Sequence, residues 1–270
     1  MSWNTLIEPE QLEAQLADVV LLDCRFQLSD AGAGARAYAE GHIPTAHYVH
    51  LERDLSAPVG EHGGRHPLPA PEAFAGRMAA LGIDRSTSTV VYDDNRFAFA
   101  ARLWWMLRAL GYRDVRVLNG GLQGWREKGG GVDTGVPAAN AVAVPVVGDY
   151  ARKLDYQALL AAREAGAVLV DSREPLRYQG VEEPIDPVAG HIPGALNLPW
   201  QDLADESGRM LSEQALRERY ACIDEGADTI AYCGSGVTAC VNLLGMHLIG
   251  RDSPRLYPGS WSDWCSRMAD

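Results

Sequence analysis

One cysteine of this chain stands in a setting that favours nucleophilic chemistry. Cys233 ends an apolar run, a Gly-Ser-Gly turn follows it, and a helical pattern then extends over Val237–Leu248. Two glycines so close together let successive backbone N–H groups face one point, and the helix adds the positive end of its dipole. We expect the thiol to ionise readily and an anion on its sulfur to be held by a cradle of amides. The cradle comprises Gly234, Ser235, Gly236, Val237 and Thr238.

The other four cysteines lack this setting. Cysteine is often a core residue, but a core thiol needs no glycine turn behind it. Cys240 follows Cys233 at a separation of about 10 Å along a helix, which is too far for a disulfide between them. The sequence has neither a CxxC pair nor histidines at ligand spacing. It therefore predicts no metal site, and we expect no cofactor.

Composition restricts the class of protein. The 270 residues can form one large core or two ordinary ones, and a net charge of −12 argues against a nucleic-acid partner. No apolar run reaches membrane-spanning length, and the first residues lack the pattern of a signal peptide. Five cysteines without framework spacing fit a reducing compartment. We expect a cytoplasmic protein without a membrane partner.

The chain contains an internal duplication. Four segments of the first half return in the same order in the second half, with small changes in spacing. A repeat this long predicts two similar domains and not a solenoid of short units. The paired segments are Leu21–Arg25 with Leu169–Arg173, Gly41–Ala46 with Gly190–Ala195, Thr89–Tyr92 with Thr229–Tyr232, and Gly120–Trp125 with Pro258–Trp264.

Each half alternates short β-branched runs with amphipathic stretches. Runs such as Val19–Asp23 and Val115–Leu118 predict strands, whereas stretches such as Pro71–Leu81 and Phe97–Leu110 predict helices. This alternation predicts an α/β fold in which each half is a mostly parallel sheet with helices on both faces.

The two predicted domains have different roles. Residues 131–147 lack helical periodicity, which predicts a linker between a first domain over 1–130 and a second over 148–270. The position of the first domain that corresponds to Cys233 holds Asp93, and no glycine turn follows it. We therefore expect an inactive first domain that supplies a wall of the site, and a catalytic second domain.

Together these features resemble the tandem-domain rhodanese family of sulfurtransferases, over essentially the whole chain. The matching segments are the paired Gly-His-Ile-Pro stretches, the Asp-x-Arg after the first strand of each half, and the closing Gly/Trp stretches. The loop Cys233–Thr238 is similar to that of the 3-mercaptopyruvate sulfurtransferase branch. The thiosulfate branch typically carries arginine and lysine where this chain has Gly234 and Ser235. The resemblance implies two rhodanese-like domains in tandem.

The resemblance also implies an enzyme and a reaction. A small anionic donor, 3-mercaptopyruvate or thiosulfate, would pass its sulfane sulfur to the catalytic Cys233 as a persulfide. A thiol, cyanide or a thioredoxin-like acceptor would then remove the sulfur. A sulfur carrier that acts in a protein relay without turnover is an open alternative, because the same cysteine would serve it. A phosphatase of this fold is disfavoured, since no arginine closes the loop after Thr238.

Matching positions imply three substrate-binding residues. Arg177 falls where the family places its anion-binding arginine; the less favoured alternative is a surface salt bridge. Ser235 would donate a hydrogen bond to the donor or the leaving sulfur, unless it is a simple turn residue. His42 would contact the substrate, but His191 fills the same position in the second half, so a structural role in the turn is an equal alternative.

Ile185 departs from the family pattern. The 3-mercaptopyruvate branch usually has a second arginine after a Glu-Pro pair, and this chain has Ile185 there. The lysine of the thiosulfate branch is missing as well. The sequence therefore indicates the reaction class but leaves the preferred donor open between 3-mercaptopyruvate and thiosulfate.

Overall fold

A computed structural model of the protein describes residues 5–268. The chain forms two α/β units, each built on its own sheet. The strands of the first sheet are β1 (Leu6–Ile7), β2 (Val20–Asp23), β3 (His47–Tyr48), β4 (Thr89–Tyr92) and β5 (Val115–Leu118). The strands of the second sheet are β6 (Val168–Asp171), β7 (Leu196–Asn197), β8 (Thr229–Tyr232) and β9 (Arg255–Leu256).

Helical crossovers connect the strands. The strand order is β1-β5-β4-β2-β3 in the first sheet and β7-β6-β8-β9 in the second, and the neighbouring strands are parallel. The helices of the first unit are α1 (Pro9–Ala14), α2 (Ala33–Glu40), α3 (Leu51–Asp54), α4 (Pro71–Ala80), α5 (Ala100–Ala109) and α6 (Gly121–Glu127). Those of the second unit are α7 (Tyr156–Glu164), α8 (Pro175–Tyr178), α9 (Glu213–Arg219), α10 (Ala239–Leu248) and α11 (Ser260–Ser266). The predicted α/β fold with two parallel sheets is confirmed.

The central strand pair has the same register in both units. Asp23 at the end of β2 lies opposite Tyr92 at the end of β4, and Asp171 on β6 lies opposite Tyr232 on β8. All four side chains are fully buried. Both sheets therefore end in an equivalent Asp–Tyr pair. The first residues of the loop after β4 and of the loop after β8 consequently occupy corresponding positions.

The two units share one hydrophobic core. A cluster of buried side chains runs from the inner face of the first sheet to the inner face of the second. Helices α5 and α10 pack against each other within this cluster, and both are buried along most of their length. Separate clusters on the outer faces surround Trp125 in the first unit and Trp261 in the second. Apolar burial therefore fixes the two units against each other and defines the walls of the groove between them.

The predicted linker is largely exposed. Residues 131–147 contain no helix or strand, apart from an isolated bridge that pairs Asp133 with His42. No helix within residues 5–268 combines the length and the apolar character that crossing a bilayer requires.

Helix α5 begins later than the predicted start at Phe97. Arg96 and Phe97 have φ angles of 50° and 71°, in the left-handed region, so the chain turns there before the helix can form. The turn directs the loop between β4 and α5 back toward Asp93.

The Asp93 carboxylate fills a cradle of amides in that loop. It accepts hydrogen bonds from the backbone N–H groups of Asn95, Phe97, Phe99 and Ala100, at 2.9, 3.1, 2.9 and 2.9 Å. Burial raises the pKa of this carboxyl group, and the four amides act against that rise. The first domain thus lacks the glycine turn, as the sequence indicates, but its loop has anion-binding amides, and Asp93 occupies them.

We predict that Asp93→Ala destabilises the protein by at least about 3 kcal/mol, because several buried N–H groups lose their acceptor together. Chemical denaturation followed by tryptophan fluorescence measures the change. The control is Asp94→Ala, which removes the same charge from the exposed neighbour and should stay within about 0.5 kcal/mol of the parent. Equal stabilities of the two variants would contradict the role given to Asp93.

Candidate active site

Cys233 lies at the carboxyl end of β8, where parallel sheets commonly bind their ligands. It is only 2% exposed. Its N–H donates to the Ser260 hydroxyl at 3.1 Å, and its carbonyl accepts from the Trp261 N–H at 3.0 Å. The start of α11 therefore holds the backbone of the cysteine on both sides.

The loop after Cys233 presents unused amides. Within residues 5–268, the N–H groups of residues 234–238 donate to no protein acceptor. Gly236 has a φ of 73°, and a Cβ atom there would lie 2.3 Å from the Pro258 carbonyl oxygen, so only glycine fits. The buried helix α10 begins directly after the loop, with its N-terminus toward it. This arrangement favours an anion at the position of the Cys233 side chain.

Cys233 lines a cavity of about 390 Å³ between the two units. The first unit supplies one wall and the second unit the other, as we predicted for a site at the domain interface. The first wall consists of Phe26, Gln27, Leu28, Ser29, Arg65, Asn95, Ala98 and Phe99. The second consists of Arg173, Glu174, Arg177, Ile185, Trp200, Cys233, Gly234, Ser235, Val237 and Thr238.

Arg177 lies in the cavity. Its guanidinium donates to Glu183 at 2.8 Å and to Asp186 at 3.0 Å, and the side chain is 14% exposed. The two carboxylates are almost fully buried, so they fix the guanidinium in one orientation. Arg177 is therefore a largely buried cation beside the cysteine loop and not a solvent-exposed surface charge.

Ser235 is paired with a histidine of the first unit. The Ser235 hydroxyl and His66 Nδ1 are 2.8 Å apart, and both side chains are buried. Burial, with Arg102 and Arg65 nearby, lowers the pKa of His66 to about 4. The imidazole is therefore neutral at physiological pH and can exchange a hydrogen bond with the serine in either direction.

Arg102 joins the first unit to the cysteine loop. It lies on α5, is fully buried, and donates to the Gly236 carbonyl at 2.9 Å and to the His66 carbonyl at 3.0 Å. One guanidinium thus fixes the glycine that bends the loop and the histidine that contacts Ser235. This buried guanidinium also adds positive potential beneath the loop.

His42 does not lie in the cavity, contrary to the role predicted for it. It is fully buried in the first unit, where Nδ1 pairs with the Tyr38 carbonyl at 2.8 Å and Nε2 with the Gly135 carbonyl at 3.0 Å. The ring stacks on Tyr38, as His191 stacks on Tyr178 in the second unit. Both histidines brace the turn that carries the Gly-His-Ile-Pro segment, so the structural alternative describes His42.

The remaining cysteines are poor nucleophiles or lie elsewhere. Burial raises the pKa of Cys240 to about 12, and it raises the pKa of Cys24 and of Cys265 as well. Cys222 is exposed and does not line the cavity. Among the five free cysteines, Cys233 alone faces the cavity.

Sequence reasoning missed Arg65, His66 and Arg102. Gly63 and Gly64, both with left-handed φ angles, precede Arg65 and His66, and a Cβ on Gly64 would lie 2.4 Å from the Gly259 carbonyl oxygen. A Gly-Gly-Arg-His segment in the first half was therefore a usable signal of a loop in close contact with the second unit. Arg102 carries no such signal, because an arginine within an apolar helix has no visible partner in the sequence.

Comparisons with known proteins place this fold in a family. A family model described as a rhodanese-like domain matches residues 8–128 and 155–267. A Pseudomonas aeruginosa protein named "Probable 3-mercaptopyruvate sulfurtransferase" is 44% identical, over 98% of this chain and 96% of its own length. A thiosulfate sulfurtransferase of Gallus gallus is 35% identical, over 93% of this chain and 88% of its own length.

A solved structure has the same architecture. SseA from Escherichia coli, a 3-mercaptopyruvate sulfotransferase, superposes with a TM-score of 0.83 at 31% identity, over 96% of this chain and 99% of that one. The two family matches coincide with the two parallel sheets. The chain belongs to the rhodanese-like domain family and carries two such domains in tandem.

Proposed function

We propose that this protein is a sulfurtransferase that moves a sulfane sulfur from 3-mercaptopyruvate or thiosulfate to an acceptor through a persulfide on Cys233. The observation that carries the proposal is the contrast between the two loops. The loop after β4 binds its own Asp93 carboxylate with four amides, whereas the amides of residues 234–238 have no acceptor within the described chain. Relatives named for each donor support the reaction class.

The first step loads the cysteine. The Cys233 thiolate attacks the sulfur of 3-mercaptopyruvate, and an S–S bond forms while the C–S bond breaks. The electron pair of that bond goes to the methylene carbon, which gains a proton and leaves as the methyl group of pyruvate. With thiosulfate, the S–S bond of the donor breaks, its electron pair stays on the leaving group, and sulfite departs.

The second step discharges the cysteine. An acceptor thiolate or cyanide attacks the outer sulfur of the persulfide, the S–S bond breaks, and Cys233 returns as the thiolate. The acceptor leaves as its own persulfide, or as thiocyanate. Free thiols, cyanide and a thioredoxin-like protein are acceptors of suitable chemistry. The five free cysteines of the chain support a reaction in the reducing cytoplasm.

The loop stabilises the charge between the two steps. A persulfide is anionic, and preorganised N–H groups in a water-poor site stabilise such a charge without reorganisation. The N-terminus of α10 acts in the same direction, and so does the buried Arg102 beneath the loop. The same groups stabilise the thiolate before loading.

The Ser235–His66 pair can move the proton that pyruvate release requires. The hydroxyl lies in the cavity wall and accepts a hydrogen bond from the neutral imidazole, or donates one to it, at 2.8 Å, so it can relay to the methylene carbon the proton that the thiol of 3-mercaptopyruvate loses on loading. Sulfite release from thiosulfate needs no proton on carbon. The pair should therefore matter more for one donor than for the other.

We predict that Cys233→Ser reduces sulfur transfer to background with both donors, because the hydroxyl is a far weaker nucleophile than the thiolate. The assay measures pyruvate or sulfite released at steady state with dithiothreitol as acceptor. In the unmodified protein, release of more than one equivalent of product distinguishes an enzyme from a stoichiometric sulfur carrier. Cys240→Ala is the matched control and should retain most of the rate. Persistent turnover in Cys233→Ser would disprove the proposal.

We further predict that Ser235→Ala and His66→Asn lower kcat for 3-mercaptopyruvate by about 10²-fold, the usual contribution of a general acid or base. With thiosulfate as donor, the same variants should stay within about threefold, because that reaction forms no carbanion. Thiosulfate thus serves as the internal control for correct folding. An equal loss with both donors would show that the pair only supports the loop.

A further inference from the structure

A second cavity, of about 330 Å³, lies between the two units and away from Cys233. The later parts of α5 and α10 line it, together with the segment before α7 and the loop before β9. The same two helices support the cysteine loop at their other ends. Along α10, His247 lies roughly 13 Å beyond Thr238 at the usual helical rise. Within residues 5–268, the two cavities share no lining residue.

Three arginines line this cavity, and none of them is paired with an acid within residues 5–268. They are Arg108 on α5, Arg152 before α7 and Arg251 before β9. Arg108 donates to the Arg113 carbonyl at 3.1 Å, and Arg251 donates to two backbone carbonyls at 3.2 and 2.9 Å. Carbonyl groups are neutral, so the positive charges of the three guanidinium groups are not cancelled.

The backbone fixes Arg152 at the junction of the two units. The N–H of Ala151 donates to the Ala109 carbonyl at 2.9 Å, and the Arg152 carbonyl accepts from the Leu256 N–H at 2.9 Å. Between these contacts Arg152 has a φ of 64°, a conformation that costs energy in a residue with a side chain. Its exposed side chain has no hydrogen-bond partner within the described residues. The guanidinium is therefore available to a ligand.

The charges around this cavity favour an anion. Asp252 is the one acid among its described lining residues, and it is paired with His247, whose Nε2 lies 2.8 Å from the Thr5 hydroxyl. With His247 neutral, the lining has a surplus of two positive charges in a chain of net charge −12. The dipoles at the carboxyl ends of α5 and α10 offset part of that surplus. Cations collected in a cleft of an otherwise acidic protein attract small anions there.

The floor of the cavity is apolar. Trp104, Trp105 and Leu243 line it, and all three are buried. The indole N–H of Trp104 is also buried and donates to no acceptor within residues 5–268. Buried donors without a partner are rare, and an oxygen of a bound ligand can supply the acceptor. Clefts of this size hold organic molecules rather than single ions, so the anion should carry an apolar body.

The arrangement of the arginines favours a phosphate group over a carboxylate. They come from three separate segments, so their N–H groups can reach several oxygens of one anion. A phosphate ester offers three terminal oxygens and nearly two charges, whereas a carboxylate offers two oxygens and one charge. Guanidinium groups also stack on flat rings, which favours a planar body on the phosphate.

We propose that this cavity is a second binding site of the protein, which takes a phosphate ester with a planar ring, of the nucleoside monophosphate class. Arg108, Arg152 and Arg251 bind the phosphate, and the ring lies against the apolar floor. The site uses neither Cys233 nor its loop. It is therefore independent of the proposed sulfur transfer.

Isothermal titration calorimetry with AMP as the probe tests the proposal, on the whole protein without any sulfur donor. We expect saturable binding at one site. Arg152→Gln should weaken it by about tenfold, the usual cost of a lost charge-assisted contact. Folding should be unaffected, because the Arg152 side chain has no partner within the described residues.

Arg163→Gln is the matched control and should stay within about twofold of the parent. Arg163 is also exposed, donates to one backbone carbonyl, lies over a tryptophan ring and does not line the cavity. Arg177→Ala removes a cation from the Cys233 cavity and should leave AMP binding equally unchanged. Adenosine and inorganic phosphate should each bind at least about tenfold more weakly than AMP, because each lacks one half of the ligand.

Four outcomes would contradict the proposal. They are no saturable binding of AMP, as expected if the arginines only balance the helix ends; equal affinity in Arg152→Gln and the parent; equal affinity for AMP and inorganic phosphate; and a loss in Arg177→Ala without a loss in Arg152→Gln. The last would place the nucleotide in the Cys233 cavity. Because no sulfur donor is present, failure of the proposed sulfur transfer would leave all of these results unchanged.

Discussion

The structure depends on a set of backbone N–H groups that have no acceptor within residues 5–268. Residues 233–237 are buried at the end of β8, and the amides that follow Cys233 donate to nothing within the described chain. Buried donors without a partner are costly, and proteins keep few of them. An anion on the cysteine sulfur removes that cost, so the loop is most stable when it holds the negative charge that sulfur transfer creates.

The duplication shows how the same loop can be used in two ways. In the first domain the chain supplies its own anion, Asp93, and the loop becomes a closed structural element. In the second domain a cysteine stands at that position, and the amides remain available for chemistry. The first domain then contributes through its surface: Arg102 fixes the loop, His66 contacts Ser235, and Arg65 reaches the floor of the cavity. Neither domain contains the whole site.

The sequence was sufficient to predict those features that depend on residues close together in the chain. The strands, the duplication and the Gly-Ser-Gly turn after Cys233 depend on short-range patterns, and Arg177 belongs to the same domain as the cysteine. His42 was misassigned because its segment occurs in both halves, and a repeated residue is more often structural than functional. Arg65, His66 and Arg102 act across the domain interface; the glycines before Arg65 and His66 mark a loop in close contact, but nothing in the sequence indicates the buried contacts of Arg102.

We expect Cys233 alone to carry the transferred sulfur. The most direct measurement is peptide mass spectrometry of the unmodified protein after treatment with one equivalent of 3-mercaptopyruvate or thiosulfate in the absence of acceptor. We expect one additional sulfur atom on the peptide that contains Cys233, in amounts equal to the pyruvate or sulfite released. Sulfur on the peptide of another cysteine, or release of product without any loaded peptide, would contradict it.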